Sequence, residues 1–332
     1  MDLVLISAGV IGFGLFMYVL LDGFDLGLGT LFLIDHRAQH RDVMMNTVAP
    51  FWDGNETWLV LGGAGLFAAF PLAYATLLPA LYIPIMVMLF ALIFRGVAFE
   101  YRFKAARWQG LWDLSFGIGS TLAAFSQGVM LGGFIGGFKI VDNAFAGGAL
   151  DWLTPFSIMS GVGLVCGYTL LGATWLIMKT TGDLQDWARA IAKRLMPIMA
   201  LFMVVVSLWT PFVEPKVAAR WFSFPNVILL SPVPIVTAAI FVMLWRAVER
   251  RQEAAPFALT IGLFVMAYAG LAISMYPNII PPGISIWQAA SPWDSQLFFL
   301  IGIAIMLPII LAYTAYNYWV FRGKVTGDAG YH

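Results

Sequence analysis

Apolar residues occur along this chain in long, nearly unbroken runs, each of the length that an α-helix needs to cross the hydrocarbon core of a bilayer. The pattern predicts nine membrane-spanning helices joined by short polar segments. They are predicted at 4–33, 54–73, 75–99, 111–138, 155–178, 195–213, 228–247, 257–276 and 295–320. The second and third runs nearly touch, and Pro71 predicts a tight turn between them.

Composition decides which kind of membrane protein this is. Hydrophobic residues make up 61% of the 332 residues and charged residues only 11%, which excludes an ordinary soluble domain. Backbone amides in lipid must be paired within helices or closed barrels, and barrel strands alternate in polarity whereas these runs do not. The sequence therefore predicts an all-α polytopic membrane helical bundle. It forms one integral-membrane domain over 1–332, with helix groups at about 4–138 and 155–320.

The basic residues alternate between the predicted loops. Of the 18 Lys and Arg residues, 15 fall in loops on one side, and only Lys139, Lys216 and Arg220 fall on the other. Because basic residues concentrate on the cytoplasmic side, nine spans place the N-terminus outside and the C-terminus in the cytoplasm. No basic residue precedes the first run, so we expect it to remain as an anchor. The formal net charge is zero, which gives no basis for nucleic-acid binding.

Two aspartates lie inside the first predicted span. Asp22 and Asp25 are spaced i and i+3, so both fall on one face of the helix. Such like charges require a shared proton, a cation or an arginine from a neighbouring helix. Gly23 and Gly27 would let another helix approach closely. The alternative is that both aspartates only meet interfacial water near the cytoplasmic end of the span.

A second polar group, WDGNETW at 52–58, begins the second predicted span. Asp53 suits a helix N-cap, and Glu56 three residues later would complete a capping box. A proton-collecting role is compatible with capping, because acids beside Asn55 at a helix mouth can hold water at the cytoplasmic surface.

A third group lies at the end of the third span. Arg95 either extends its side chain to the interface or pairs with Asp22 or Asp25, and Glu100 follows it closely. Weaker single candidates are Asp113, Gln127 and Tyr168, of which Asp113 could simply begin the fourth helix.

The chain offers few ligands for a redox cofactor. Its histidines are His36 and His40 in a predicted loop and His332 at the terminus, so no predicted span carries one. The single cysteine, Cys166, lies in an apolar run and suits packing. The sequence therefore predicts that this chain alone holds no haem, metal or iron–sulfur cluster.

The motifs DGFDLG, APFWDGNETWLVLGGAGLFAAFP and FRGVAFEYR, all within the first 110 residues, resemble those of subunit II of cytochrome bd quinol oxidases. The resemblance implies two four-helix bundles plus one peripheral helix in a bacterial inner-membrane complex. The partner, subunit I, would carry b- and d-type haems, oxidise quinol and reduce dioxygen to water. A small single-span accessory subunit is also implied, as is a bound quinone or lipid. Compact outer loops are similar to the cyanide-insensitive branch.

The same resemblance assigns roles to particular residues. Asp53 corresponds to the aspartate at the cytoplasmic proton entrance of the family. Asp22 and Asp25 correspond to acids of the polar lining, and Glu56 is expected on the same proton pathway. The residues expected as structural polar partners are Arg95, Trp52, Asn55, Trp58 and Glu100.

Two other functions fit a membrane bundle with buried acids. A proton-coupled secondary transporter would show inverted repeats with broken helices at equivalent depths, but the second half contains no repeat of the DGFD or WDGN segments. A purely structural scaffold, in which the acids only cap helices and form pairs, also remains open.

Overall fold

The computed structural model describes residues 2–325, apart from the side chain at position 106; the predicted cytoplasmic C-terminus with His332 lies outside the described residues. The chain is almost wholly helical, which confirms the all-α prediction. The helices are α1 Leu3–Ile34, α2 Ala38–Val48, α3 Trp52–Ala69, α4 Pro71–Ala80, α5 Tyr82–Tyr101, α6 Gln109–Gly136, α7 Pro155–Lys179, α8 Gly182–Val213, α9 Pro215–Phe222, α10 Asn226–Leu230, α11 Pro232–Glu249, α12 Ala255–Met275, α13 Ile286–Ala289 and α14 Trp293–Val320. Two short antiparallel hairpins pair β1 Ile140–Val141 with β2 Ala144–Phe145, and β3 Asn278–Ile280 with β4 Ile284–Ser285.

Eight helical segments within the described residues are long and apolar enough to cross a membrane, with α10 and α11 counted as one segment. The remaining predicted span, 54–73, corresponds to α3, which has 18 residues and is therefore about 27 Å long. Its first two turns carry Asp53, Asn55 and Glu56, so it is less apolar than the other eight. A span at α3 stays a prediction.

The helix break at Pro71 is confirmed, since α3 ends at Ala69 and α4 begins at Pro71, a favoured first position for proline. A second break follows at Leu81, so the predicted third span is divided between α4 and α5. The short α4 thus connects two longer helices.

The predicted loop at 179–194 is wrong, because α8 already begins at Gly182. Leu184, Ala188 and Ile191 are buried along one face of this extension, while the other face is polar. The N-terminal part of α8 is amphipathic and precedes the apolar run. Hydropathy alone therefore places the start of the helix too late.

Helix α1 lies at the centre of the bundle and packs against α3, α6 and α7. Its glycines permit this packing, as predicted for Gly23 and Gly27. A Cβ atom at Gly27 would lie 1.7 Å from the carbonyl oxygen of Tyr168 on α7, so only glycine allows the two backbones to approach. The largest apolar core contains buried residues of α1, α2, α5, α6, α7, α8, α11 and α12. The proposed division into two helix groups stays a prediction.

The connecting segments gather at two ends of the bundle. At one end Trp287 donates to Asp2 (2.8 Å) and the Gln296 side chain donates to the carbonyl of Ala69 (2.6 Å). At the other end Arg37 pairs with Asp183 (2.7 Å) and Lys324 with Glu253 (2.6 Å). The segments at these two ends are the same two sets into which the alternation of basic residues divides the predicted loops. Which end faces the cytoplasm stays a prediction.

Candidate functional site

A buried arginine organises the polar interior of the bundle. Arg95, on the last turns of α5, has a fully buried side chain. Its Nη2 atom lies 2.7 Å from Asp22 Oδ1 and 3.6 Å from Asp25 Oδ2, and its Nη1 atom lies 2.6 Å from Glu56 Oε1. We refer to Asp22, Asp25, Glu56 and Arg95 as the Arg95 cluster. Of the two sequence alternatives for Arg95, pairing with the aspartates is therefore confirmed.

Asp22 and Asp25 lie well inside α1 and both are completely buried. Asp22 precedes the end of the helix at Ile34 by about 18 Å, as the helical rise requires. The alternative that these aspartates meet interfacial water is therefore wrong. Both face α3 and α5, as their i and i+3 spacing predicts.

Asn55 connects the cluster to the last helix. Its Nδ2 group donates to Asp25 Oδ2 (2.8 Å) and to the carbonyl of Leu21 (3.1 Å). The hydroxyl of Tyr318, on α14, donates to Asn55 Oδ1 (3.0 Å). One amide side chain thus joins α1, α3 and α14, and no sequence pattern indicated Tyr318.

A second line of polar groups extends from Asp22 toward the N-terminus of α1. Tyr18 lies one helical turn before Asp22, on the same face. Its hydroxyl accepts from Gln127 Nε2 (2.9 Å), and the hydroxyl of Tyr168 donates to Gln127 Oε1 (2.8 Å). Gln127 and Tyr168, which the sequence marked only as weak candidates, therefore lie beside the cluster. Tyr18 was missed, although its i−4 spacing from Asp22 is a detectable signal.

Asp53 does not cap α3, so the predicted capping box is wrong. Phe51 occupies the N-cap position and makes no side-chain cap hydrogen bond, whereas Asp53 lies in the first helical turn with its side chain exposed. Glu56, one turn further in, is bound to Arg95 instead of reaching back to the helix start, and 27% of its side chain is exposed. Both acids remain near the same helix end.

The remaining predicted partners divide into two kinds. Trp52 stacks on Phe99 of α5, with ring centroids 4.8 Å apart. Trp58 is buried and its ring meets the ring of Phe13 edge-on. Both tryptophans therefore fix α3 against its neighbours. Glu100, by contrast, lies outside the cluster, because its exposed carboxylate pairs with Lys104 (3.0 Å) on the surface.

A second ion cluster lies at the same end of the bundle, beyond the end of α1. Arg102, whose side chain is fully buried, contacts Asp113 (2.5 Å) and Asp42 (2.7 Å). Arg41 also contacts Asp113 (3.0 Å). Asp113 thus pairs with two arginines from within α6 and does not merely begin that helix.

Asp35 belongs to the same network and is held by Arg37 and by the imidazole of His40 (2.7 Å). Burial opposes ionisation of Asp35, but hydrogen bonds from the Arg37 guanidinium and backbone N–H outweigh it and hold the pKa of Asp35 at about 2. We refer to these residues as the Arg102 network: Asp35, Arg37, Arg41, Asp42, Arg102 and Asp113. Sequence reasoning missed this network as a unit.

The Arg95 cluster contains three carboxyl groups and one guanidinium. Full ionisation would leave two uncompensated negative charges in the apolar interior, which is costly. Carboxyl groups in such a site share protons, and together they titrate as a unit. The arrangement can therefore take up and release protons within the bundle. Among residues 2–325 no group of His, Cys, Asp and Glu side chains has the geometry to hold a metal ion.

Fold and site together define a multi-pass helical membrane protein with a titratable cluster enclosed between its first helices. The sequence model for cytochrome bd terminal oxidase subunit II matches residues 3–321, and the chain belongs to that family. It is thus a subunit of a cytochrome bd quinol oxidase complex, an oxidoreductase. This membership does not favour the transporter alternative.

Relatives extend over nearly the whole chain. The cytochrome bd ubiquinol oxidase subunit 2 of Bacillus subtilis is 30% identical over 336 residues, covering 98% of this chain and 96% of that protein. The cytochrome bd-I ubiquinol oxidase subunit 2 of Escherichia coli K12 is 29% identical over 358 residues, covering 96% and 94%. The bd oxidase structure from Geobacillus thermodenitrificans superposes with a TM-score of 0.77 at 18% identity, covering 96% of this chain and 99% of that one. The last comparison shows a common fold.

Proposed function

We propose that this chain is the haem-free subunit of its oxidase complex and that the Arg95 cluster conducts protons from the cytoplasmic side toward the partner. The observation that carries this proposal is a gradient of exposure along three acids, of which Glu56 and Asp22 share Arg95. Asp53 is exposed, Glu56 keeps 27% of its side chain accessible, and Asp22 beside Arg95 is fully buried. The spacing of Asp53 and Glu56 puts both on one face of α3.

The Arg95 cluster has three carboxyl groups for one guanidinium, and this ratio supports proton transfer over simple ion pairing. A proton that moves from Glu56 to Asp22 or Asp25 leaves the total charge of the cluster unchanged, and the Arg95 guanidinium is bound to every member. Movement among these carboxyl groups therefore requires no new buried charge, which is the main barrier to proton movement in lipid.

Two polar branches leave the cluster. One runs from Asp25 through Asn55 to Tyr318, and the other leads from Asp22 past Tyr18 and Gln127. Asn55 and Gln127 do not titrate, so their amides orient the flanking phenols rather than carry protons themselves. Tyr18 lies on the same face of α1 as Asp22 and can exchange a proton with it, whereas Asn55 separates Tyr318 from Asp25.

The positions of the two described histidines support the haem-free assignment. His36 contacts Arg41, while His40 is bound to Asp35, and both lie between α1 and the end of α2 rather than in a span. A buried haem requires axial ligands inside the bundle. The b- and d-type haems, quinol oxidation and dioxygen reduction are accordingly assigned to the haem-bearing subunit I. A small accessory subunit, an inner-membrane location and an outside N-terminus complete the proposal.

Substitution of the two outer acids in the assembled complex tests the proton route. We expect Asp53→Asn to slow quinol-driven oxygen consumption several-fold, and Glu56→Gln by about tenfold or more, because proton donors in a relay contribute at least that much. The haem absorption spectrum should stay unchanged in both variants, which shows that the complex has assembled. Glu100→Gln, an exposed acid at the same end, is the matched control. Wild-type turnover in both Asp53→Asn and Glu56→Gln would leave only the scaffold role.

A further inference from the structure

An apolar groove of about 280 Å³ lies between α8 and α11, two helices that contribute no residue to the Arg95 cluster. It is lined by Met196, Pro197, Ala200, Phe241, Val242 and Trp245. Pro197 lies inside α8, where it has no backbone N–H to donate to the carbonyl of Lys193. The groove opens on the outer surface of this helix pair.

Unpaired positive charges lie at the end of this groove. Lys193 precedes Pro197 by one turn on α8, and Arg246 follows Val242 by one turn on α11, so both face the groove. Arg194 and Arg250 flank them, and all four side chains are exposed. None of the four forms an ion pair with any other residue between positions 2 and 325.

Negative charge nearby does not cancel these cations. Glu249 follows Trp245 by one turn and is the acid closest to them on α11. The two acids at the adjoining helix ends already have partners, since Asp186 pairs with Arg251 and Glu253 pairs with Lys324. The mouth of the groove therefore carries a surplus of positive charge.

A second groove in the molecule provides an internal comparison. It has a volume of about 350 Å³, lies between α1, α6 and α7, and includes Leu33 and Val162 in its lining. The cations that follow Leu33 are Arg37 and Arg41, and both are neutralised by carboxylates of the Arg102 network. Of these two grooves, only the α8–α11 groove combines an apolar floor with basic side chains that form no ion pair within residues 2–325.

We propose that the α8–α11 groove is a binding site for one anionic phospholipid. An acyl chain lies along Ala200 and Phe241, and the phosphate lies between Lys193 and Arg246. Trp245 suits the depth of the headgroup region, where tryptophan is favoured. Because the site lies on another helix pair, it is independent of the proton route.

Lipid titration of the purified, delipidated complex tests this site. Native mass spectrometry would measure binding of dioleoylphosphatidylglycerol and of dioleoylphosphatidylcholine, and we expect the anionic lipid to bind more tightly. Each basic residue near an anionic headgroup contributes about fivefold in affinity, so Lys193→Gln with Arg246→Gln should weaken phosphatidylglycerol binding about thirtyfold. Lys104→Gln with Arg107→Gln removes the same charge at the same end and should leave binding unchanged.

A second variant tests the groove without altering charge. Ala200→Trp fills the space for the acyl chain and should also lower phosphatidylglycerol binding, whereas Val162→Trp in the other groove should not. Equal affinity for the two lipids would overturn the proposal. So would wild-type binding by the Lys193 and Arg246 double variant, or equal binding by Ala200→Trp and Val162→Trp. The haem spectrum reports intact assembly in every sample.

Discussion

The Arg95 cluster and the Arg102 network differ in their balance of charge. The Arg95 cluster places three carboxyl groups around one guanidinium. The Arg102 network matches Asp35, Asp42 and Asp113 with three arginines, and every acid in it has an arginine within 3.0 Å. A balanced network gains from staying ionised and holds helices together, whereas an acid-rich cluster must exchange protons with its surroundings. The ratio of carboxyl groups to arginines, more than burial, therefore separates the proposed proton-handling site from a structural ion network.

The largest effect is expected from removing the single cation of the acid-rich cluster. Arg95→Met leaves three carboxyl groups without a counter-charge in the interior, which should destabilise the chain by about 3–5 kcal/mol. The melting temperature and haem content of the purified complex measure this loss. Arg95→Lys retains the charge and should recover part of the stability. An Arg95→Met complex that melts like the wild type would show that the cluster is already neutral without its arginine.

Removal of the central cation of the balanced network should have a smaller and purely structural effect. In Arg102→Met, Asp113 retains Arg41 and Asp42 can turn to solvent, so we expect a loss of about 2 kcal/mol. Turnover per assembled complex should match the wild type, as determined by oxygen consumption normalised to haem. A slower assembled enzyme would place the Arg102 network on the proton route and remove the distinction between the two regions.

The pH dependence of stability sharpens the same distinction. The pKa of Asp35 is about 2, below its ordinary value of 3.8, so its stabilising contribution is full above about pH 5 and disappears as the pH falls toward 2. Asp35→Asn should therefore cost about 1–2 kcal/mol at pH 7, after allowance for solvent screening, and almost nothing near pH 2. Thermal melts in detergent across this range test the prediction. A difference between variant and wild type that grows as the pH falls has the wrong sign.

The smallest effect is expected for the acid that lies outside both regions. Glu100 and Lys104 form an exposed pair at i and i+4, which contributes less than about 0.5 kcal/mol. Glu100→Gln should leave both the melting curve and oxygen consumption at wild-type values. A clear loss of turnover would extend the proton-handling region to the end of α5.

Features set by local sequence were largely predictable. The apolar runs predicted the long helices, Pro71 predicted a helix break, and the spacing of Asp22 and Asp25 predicted one shared face. Pairing of Arg95 with these aspartates was foreseen as one of two options because an uncompensated acid in lipid demands a cation.

Features set by helix rotation and distant contacts were not predictable. Tyr318 meets Asn55 across 263 positions, and no local pattern indicates which side of α14 faces inward. Asp53 is a residue type that is favoured at N-caps, but α3 begins earlier, after Phe51. Glu56 binds Arg95 instead of the start of the helix. The Arg102 network was missed as a unit because its members come from four separate segments. Most of them look like ordinary loop charge, and Asp113 was considered only as a single candidate at the start of a helix.

The position of Arg95 in the chain has a consequence for biosynthesis. Asp22 and Asp25 are translated at least 70 residues before the arginine that neutralises them. At bacterial elongation rates of about 5–20 residues per second, several seconds separate the insertion of α1 from the arrival of its counter-ion. During that interval α1 must keep its aspartates protonated or remain beside the insertion machinery. The nascent protein thus becomes a stable membrane resident only once its third long helix has been made.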